Sequence, residues 1–227
     1  MTNKSAMEKL FKRAWEKNER GTAYLAFMEE LPEKLKDYGL VNGKTKISQY
    51  VFYKLINKHK FSGEELYSVK QALENPVAIF KDGKKVIILT DVVDHQKYPV
   101  TVILAVNTED NCVASIYGRH NILNYVCKYT KGDDVLFMDL DRIEYIRGDK
   151  TNKEVDERLD EIKRNVLKLK GCKLKMTIER DGRKIELTEK EIWDAYNLVN
   201  KNITSDIEQE AEKILNQELE DRNERVK

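Results

Sequence analysis

The chain has 227 residues, 36% of them charged, and its 41 Lys and Arg are almost balanced by 40 Asp and Glu. A net charge of +1 at pH 7 excludes a protein that attracts polyanions through its overall field. No apolar run approaches the roughly 20 residues that span a bilayer, so we expect no membrane partner. The length suffices for one sizeable core with smaller appendages.

Charge and cysteine placement suggest an intracellular protein. Residues 1–70 contain 14 Lys and Arg against 9 Asp and Glu, so only the first third favours polyanions. The three cysteines are odd in number and lack metal-site spacing, which indicates reduced thiols. The N-terminus begins with a charged helical pattern in place of an apolar signal sequence. We therefore expect a cytoplasmic location.

Two helices are predicted before residue 42. Apolar residues at helical spacing predict an amphipathic helix over residues 5–18. Its basic face supplies four candidates for nucleic-acid contact: Lys9, Lys12, Arg13 and Lys17. Lysines solvated beside a packed apolar stripe are the alternative explanation. A second helix is expected over 22–38, where Pro32 should kink or divide it, and residues 39–43 resemble a linker.

An α+β unit is predicted next, with helices over 48–58 and 62–74. Ser62 and Glu65 have the spacing of a capping box at the start of the second helix. The strand candidates are residues 77–80, 85–90, 100–107, 113–117 and 135–138, with a helix over 121–129. Asp82-Gly83 marks a hairpin turn, and short connections favour antiparallel pairing.

Residues 112–119, read as a strand, separate by parity into two faces. The small or apolar set expected to face a core is Cys112, Ala114, Ile116 and Gly118. The polar candidates for catalysis, on the other face and at the strand end, are Ser115, Tyr117, Arg119 and His120. A hydroxyl, a phenol, a guanidinium and an imidazole together can act on a phosphodiester without metal.

Each of these candidates has a structural alternative. His120 followed by Asn121 also fits the start of a helix, with Asn121 as its N-cap. Tyr117 on a sheet face fits simple packing. Arg119 could pair with a surface carboxylate such as Asp94 or Glu109, which would add little stability.

The remaining histidines give weaker signals. His95 and Lys97, in a turn between strands, are further candidates for nucleic-acid contact at the same site. His59, between two lysines near a helix end, is assigned no catalytic role. Histidines and cysteines are too scattered for a structural zinc site, so we expect neither metal nor cofactor.

The last third predicts a helix, a hairpin and more helices. A helix is expected over 152–169 and a β-hairpin over 173–187, around Asp181-Gly182. Thr188 and Glu191 have capping-box spacing before another helix, and an acidic helix is expected over 205–223. We expect three units: residues 1–42, 45–148 and 152–227.

Several short blocks occur in a recognisable order. They are Asn57-Lys58-His59-Lys60, Glu64-Glu65-Leu66, Ala72–Phe80, Ile87–Asp91, Tyr98–Val102 and Ser115–Gly118. In order and spacing these blocks resemble the C-terminal domain of phage MuF-type head proteins, which also occurs in large polyvalent proteins of mobile elements. The resemblance covers about residues 45–147. It implies the barnase, EndoU, colicin and RelE-like ribonuclease superfamily, with helices on a small antiparallel sheet and RNA cleavage without metal.

Two functions from different classes follow. The first is a phage or mobile-element ribonuclease that binds and cleaves RNA in the host cytoplasm, a metal-independent endoribonuclease. The second is a non-catalytic protein that inhibits a host defence complex, of the anti-CRISPR or another anti-defence type, with a host protein or ribonucleoprotein as its partner. The small number of histidines and the near-neutral charge favour the second, whereas fold analogy alone decides neither.

Overall fold

The computed structural model describes Lys9 and residues 24–106, 110–132, 134–147, 153–169, 171–180, 182–199 and 205–224. Helices α1 to α7 in these ranges are Glu33–Lys36, Gln49–Asn57, Gly63–Ala72, Ile122–Thr130, Lys153–Val166, Glu189–Val199 and Ser205–Glu224. Strands β1 to β10 are Tyr24–Met28, Thr45–Ser48, Ala78–Asp82, Lys85–Val93, Pro99–Val106, Asn111–Gly118, Val135–Asp139, Lys173–Lys175, Thr177–Arg180 and Arg183–Glu186. A 3-10 helix, Ile143–Arg147, follows β7. None of the described helices is both long and apolar enough to cross a membrane.

The predicted α+β class is confirmed, with one large mixed sheet. Eight strands pair in the order β1-β2-β6-β5-β4-β3-β7-β8, and β9 and β10 form a separate hairpin. Strands β3 to β6 pair antiparallel across short connections, as predicted. Parallel pairs occur where β2 meets β6 and where β7 meets β8. The sheet is larger than the small antiparallel one implied by the resemblance, because strands from both flanks extend it.

Two hydrophobic cores lie on the two faces of the sheet. On β4, Ile88 packs in one core with Phe52 of α2. The next residue, Leu89, packs in the other core with Val126 of α4 and Ile162 of α5. Alternate strand residues point to opposite faces, so β4 supplies both cores. Full burial of each large aliphatic side chain contributes about 1.5–3 kcal/mol.

The helix expected over 22–38 is wrong. Strand β1 pairs antiparallel with β2, and of residues 24–38, the described part of this stretch, only the four of α1 are helical. Pro32 occupies the N-cap position of α1, with φ −52°. Phe27 and Met28 of β1 are buried. These side chains are buried because β1 pairs with a later strand. The spacing of apolar residues along β1 does not reveal that pairing.

Local start and turn signals were predicted correctly. At α3, the Glu65 N–H donates to Ser62 Oγ over 3.1 Å, and the Ser62 N–H donates to the Glu65 carboxylate over 2.6 Å. Thr188 and Glu191 form the same reciprocal pair at α6. Gly83, with φ +58°, closes the β3–β4 hairpin predicted from Asp82-Gly83. These signals depend on neighbours in the chain, so sequence suffices to find them.

The C-terminal elements share a core with the central ones. Leu159 of α5, Ile192 of α6 and Ala211 of α7 belong to the same buried cluster as Val126. Strand β8 extends the main sheet beside β7. The unit boundaries given from the sequence stay predictions.

Candidate functional site

Strand β6 positions the residues selected from the sequence. Its pairing with β5 shifts by one residue at Ala114, which is the extra, exposed residue of a β-bulge. Val113 and Ile116 are consequently buried in the same core. The predicted core face is correct for Ile116 but wrong for Ala114 and for half-buried Cys112, because the bulge shifts the alternation of faces.

Aromatic rings hold Arg119, immediately after β6. Its guanidinium carbon lies 3.4 Å from the ring centre of Tyr125 and 4.6 Å from that of Tyr117. The Arg119 Nη2 group donates a hydrogen bond to the Tyr117 hydroxyl. Within the described part of the chain, no carboxylate pairs with this guanidinium, and its buried Nε has no hydrogen-bond partner. The ion pair with Asp94 that the sequence allowed is therefore not formed, and Glu109 lies outside the described residues.

Two neighbours orient the exposed imidazole of His120. The ring meets that of Tyr98 edge-on, with centres 5.1 Å apart, and Nδ1 lies 2.9 Å from Asn121 Oδ1. An amide oxygen only accepts, so a proton on Nδ1 fits this contact. Asn121 does occupy the N-cap position of α4, but its side chain makes no capping bond.

A cavity of about 560 Å³ opens beside His120. It lies between the turn before β5, the start of α4, and α5. Its polar lining includes Gln96, Lys97, His120, Asn121, Asn124, Arg147, Glu154 and Arg158. Both wall arginines also form ion pairs, Arg147 with Asp156 and Arg158 with Glu161. The volume is within the range of small-ligand sites.

Asp94 fixes the turn that forms one wall of this cavity. Its Oδ1 accepts hydrogen bonds from the backbone N–H groups of Gln96, over 2.8 Å, and Tyr98, over 3.0 Å. The same carboxylate lies against Gly118, where a Cβ atom would overlap it. Gly118 therefore allows the turn to dock on the end of β6.

The four predicted catalytic residues do not form one cluster in the structure. Tyr117 and Arg119 bond to each other, whereas His120 lines the cavity. Ser115 is half-buried on β6, opposite Ile103 of β5. No group of three or more His, Cys, Asp or Glu among the residues described here is arranged to hold a metal ion.

The predicted nucleic-acid contacts are described only in part. Lys9 is helical and exposed. Three more basic residues lie outside the described ranges: Lys12, Arg13 and Lys17. His95 and Lys97 are both exposed on the Asp94 turn, but only Lys97 lines the cavity. Contact of these residues with nucleic acid stays a prediction.

His59, assigned no catalytic role from the sequence, also lies beside β6. Its ring stacks on that of Tyr117, with centres 5.9 Å apart and planes at 25°. Partial burial lowers the pKa of His59; Lys58 and Lys54 lower it further, and Asp94 opposes them. The contact joins the end of α2 to β6, which are far apart in the sequence. A local sequence motif therefore cannot predict it.

A second arginine, Arg142, is held by polar groups. Its guanidinium donates to the carbonyl oxygen of Asn75, over 2.8 Å, and to the Asp91 carboxylate, over 2.7 Å. It also lies 3.9 Å from Asp139, a fully buried carboxylate 3.4 Å from Lys175 of β8. Burial raises the pKa of Asp139, while Lys175 and Arg142 oppose the shift. This network joins β7 and β8 to the loop after α3.

Comparison with known proteins identifies the central segment. Residues 53–144 match the family model of the phage MuF C-terminal domain. This segment includes the end of α2, the Asp94 turn, β6 and α4, and with them His59, Arg119 and His120. The cavity residues Arg147 and Arg158 lie beyond it. No curated protein and no solved structure matches the chain. The resemblance is thus confirmed for residues 53–144, which are similar to the phage MuF C-terminal domain.

Proposed function

We propose that this chain binds RNA and cleaves it without a metal ion at the end of β6. The observation that carries the proposal is the guanidinium of Arg119, held by the rings of Tyr117 and Tyr125 and not neutralised by any described carboxylate. A guanidinium held in this way is preorganised for bidentate contact with a phosphate. Similarity to a phage domain supports an origin in a phage or mobile element.

The proposed substrate class comes from the resemblance to barnase- and EndoU-like ribonucleases. In such a reaction a base removes the proton of the RNA 2′-hydroxyl, and the freed oxygen attacks phosphorus. The bond from phosphorus to the 5′ oxygen breaks, leaving a 2′,3′-cyclic phosphate. An acid gives its proton to the departing 5′ oxygen. The protein therefore has to supply a base, an acid and a cation.

The side chains at the end of β6 fit these three requirements. His120 suits either proton transfer, because an imidazole has one nitrogen that can accept a proton and one that can donate it. Arg119 offsets the extra negative charge that develops on phosphorus. Burial raises the pKa of Tyr117, so its phenol stays protonated and able to donate. Ser115, two residues earlier on β6, is proposed as a further donor.

The cavity beside His120 is proposed to hold a nucleotide next to the cleaved bond. RNA-binding proteins commonly stack unpaired bases on aromatic rings and read the base edges with polar side chains. Tyr98 offers a ring here, while Asn121 and Asn124 offer amides. Lys97 adds positive charge on the same wall. This lining fits single-stranded RNA.

The direct test is incubation of RNA and DNA with the purified protein in EDTA. We expect RNA to be cut to 2′,3′-cyclic ends and DNA, which lacks the attacking hydroxyl, to stay intact. His120→Gln should lower the rate by about 100-fold or more, the usual contribution of a proton-transfer group. Arg119→Lys should lower it by about 10-fold or more, because lysine cannot form the bidentate contact. Lys97→Gln and His95→Gln should weaken binding only slightly.

Arg142→Lys is the matched control for the arginine substitution. Arg142 belongs to the other polar network, so its replacement should leave the cleavage rate of the folded protein unchanged. Intact RNA after incubation with folded wild-type protein would contradict the proposal and favour the non-catalytic inhibitor. Full cleavage by both the His120 and Arg119 variants would move the chemistry to another site.

A further inference from the structure

We propose that His59 is the general base of this reaction and that His120 is its acid. This inference rests on the proposed function and names the partner that His120 needs. The observation behind it is a shared contact: the imidazole of His59 and the guanidinium of Arg119 lie 5.9 and 4.6 Å from the centre of the same Tyr117 ring. The Tyr117 ring thus contacts a candidate base from the end of α2 and a candidate phosphate-binding cation from the end of β6.

The end of α2 fixes the position of His59. The backbone N–H groups of Lys58 and His59 both donate to the Lys54 carbonyl, over 2.9 and 3.0 Å. Lys60 then adopts φ +59°, a left-handed conformation that costs a non-glycine residue about 1–2 kcal/mol. Phe61, which follows, is buried in the core. Burial of Phe61 offsets the strained residue, so the helix ends at a defined point with His59 beside β6.

The charges around His59 favour a neutral imidazole. Lys54 and Lys58 approach it from α2 and Asp94 from the turn before β5, while Arg119 contacts the Tyr117 ring on which His59 stacks. Partial burial lowers the pKa of His59, the two lysines lower it further, and Asp94 opposes them. A general base has to be unprotonated at the working pH, and an imidazole with a lowered pKa meets that condition.

The two histidines can serve opposite ends of one phosphodiester. Arg119 bonds to Tyr117, whereas His120, the next residue, lines the cavity, so the two side chains make separate contacts after β6. His59 accepts the proton of the 2′-hydroxyl as its oxygen bonds to phosphorus. The electron pair of the broken bond leaves with the 5′ oxygen, which takes a proton from His120. Exchange with solvent then restores a neutral His59 and a protonated His120.

The first test measures single-turnover cleavage in EDTA over about pH 5 to 9, which brackets the imidazole pKa. His59→Phe keeps an aromatic ring against Tyr117 but cannot accept a proton, and His59→Gln is a second variant in case packing fails. We expect both to lose about 100-fold or more in maximal rate, with RNA affinity and melting temperature unchanged. The acidic limb of the pH profile should disappear in both variants.

The second test separates base from acid with RNA that carries sulfur in place of the scissile 5′ oxygen. A thiolate leaves without protonation, because thiols are far more acidic than alcohols. This substrate should restore cleavage by His120→Gln and should not restore cleavage by His59→Phe. Rescue of His59→Phe, or wild-type rates in both His59 variants, would overturn the inference while the proposed function stands. Failure of the wild-type protein to cut RNA would overturn the proposed function itself.

Discussion

Arg142 and Arg119 follow strands of the same sheet and are held in opposite ways. Arg142 contacts two carboxylates and two backbone carbonyls, so its charge is matched inside the fold. The guanidinium of Arg119 contacts the rings of Tyr117 and Tyr125 and a neutral hydroxyl. Matched charges join segments of a fold, whereas a charge supported by rings remains available to an external anion. The partners of an arginine, more than its burial, indicate which role it has.

The largest expected effect is loss of stability in Arg142→Ala. This substitution removes bonds to Asn75 and Asp91 and leaves buried Asp139 with Lys175 as its remaining cationic partner among the described residues. We expect the free energy of unfolding to fall by about 2–4 kcal/mol. Urea denaturation monitored by circular dichroism measures it. Arg119→Ala, which loses ring contacts, should cost only about 1 kcal/mol; equal losses would remove the contrast between the two arginines.

Gly118→Ala should be the next most destabilising change, at about 1–3 kcal/mol. The added Cβ overlaps the Asp94 carboxylate, so the turn has to move away from β6. Thermal unfolding of the single variants and the double variant with Asp94→Ala forms a cycle that isolates this clash. The double variant should be more stable than the sum of the single losses predicts. Simple additivity would show that the two residues do not meet.

Tyr125→Leu should lower stability by about 1 kcal/mol, because it removes the closest ring from Arg119. It should also weaken RNA binding, since the guanidinium loses its orientation. Tyr125→Phe keeps the ring and is the control, expected to bind RNA as the wild type does. Fluorescence anisotropy with a short labelled RNA in EDTA measures both. Equal affinity in the leucine variant would show that ring contact does not prepare Arg119 for phosphate.

The smallest expected effect concerns pH and Asp139. Burial raises the pKa of this carboxyl above its unfolded value near 4, so the folded state binds the proton more tightly. Its contribution to stability is greatest below that value and is lost as pH rises through the folded pKa. Asp139→Asn does not titrate, so its stability relative to wild type should rise from about pH 4 to pH 7. Urea midpoints along that range test the sign, and a constant difference would contradict it.

The sequence predicted those elements whose signals are local. The capping pairs Ser62–Glu65 and Thr188–Glu191 and the turn at Gly83 each depend on residues at most three positions apart. The sequence predicts a helix where β1 lies, because the partner strand β2 is beyond the loop that includes α1. The bulge at Ala114 likewise depends on how β6 meets β5. Pairing between segments decides these features, and one sequence contains no direct record of it.

In the candidate site, too, the sequence predicts local features and misses those that depend on contacts between distant segments. Parity placed Tyr117 and Arg119 on one side of β6, and the structure shows them bonded. His59 was passed over because its contact with Tyr117 appears only after α2 packs on the sheet. Tyr125, from the next helix, is a second partner that strand parity alone does not reveal. A sequence shows which residues have reactive side chains. Which residues surround them depends on tertiary packing and cannot be predicted from local patterns.

The parallel pairs at the flanks have a practical consequence for producing this protein. The segment that matches the family model ends short of both outer partners, because β2 precedes residue 53 and β8 follows residue 144. A fragment trimmed to the match would leave β6 and β7 with unpaired backbone groups along their outer edges. Such edges recruit other chains and lead to aggregation. A well-behaved recombinant fragment therefore has to extend at least from β2 to β8, so the matched segment is shorter than the piece that can be handled alone.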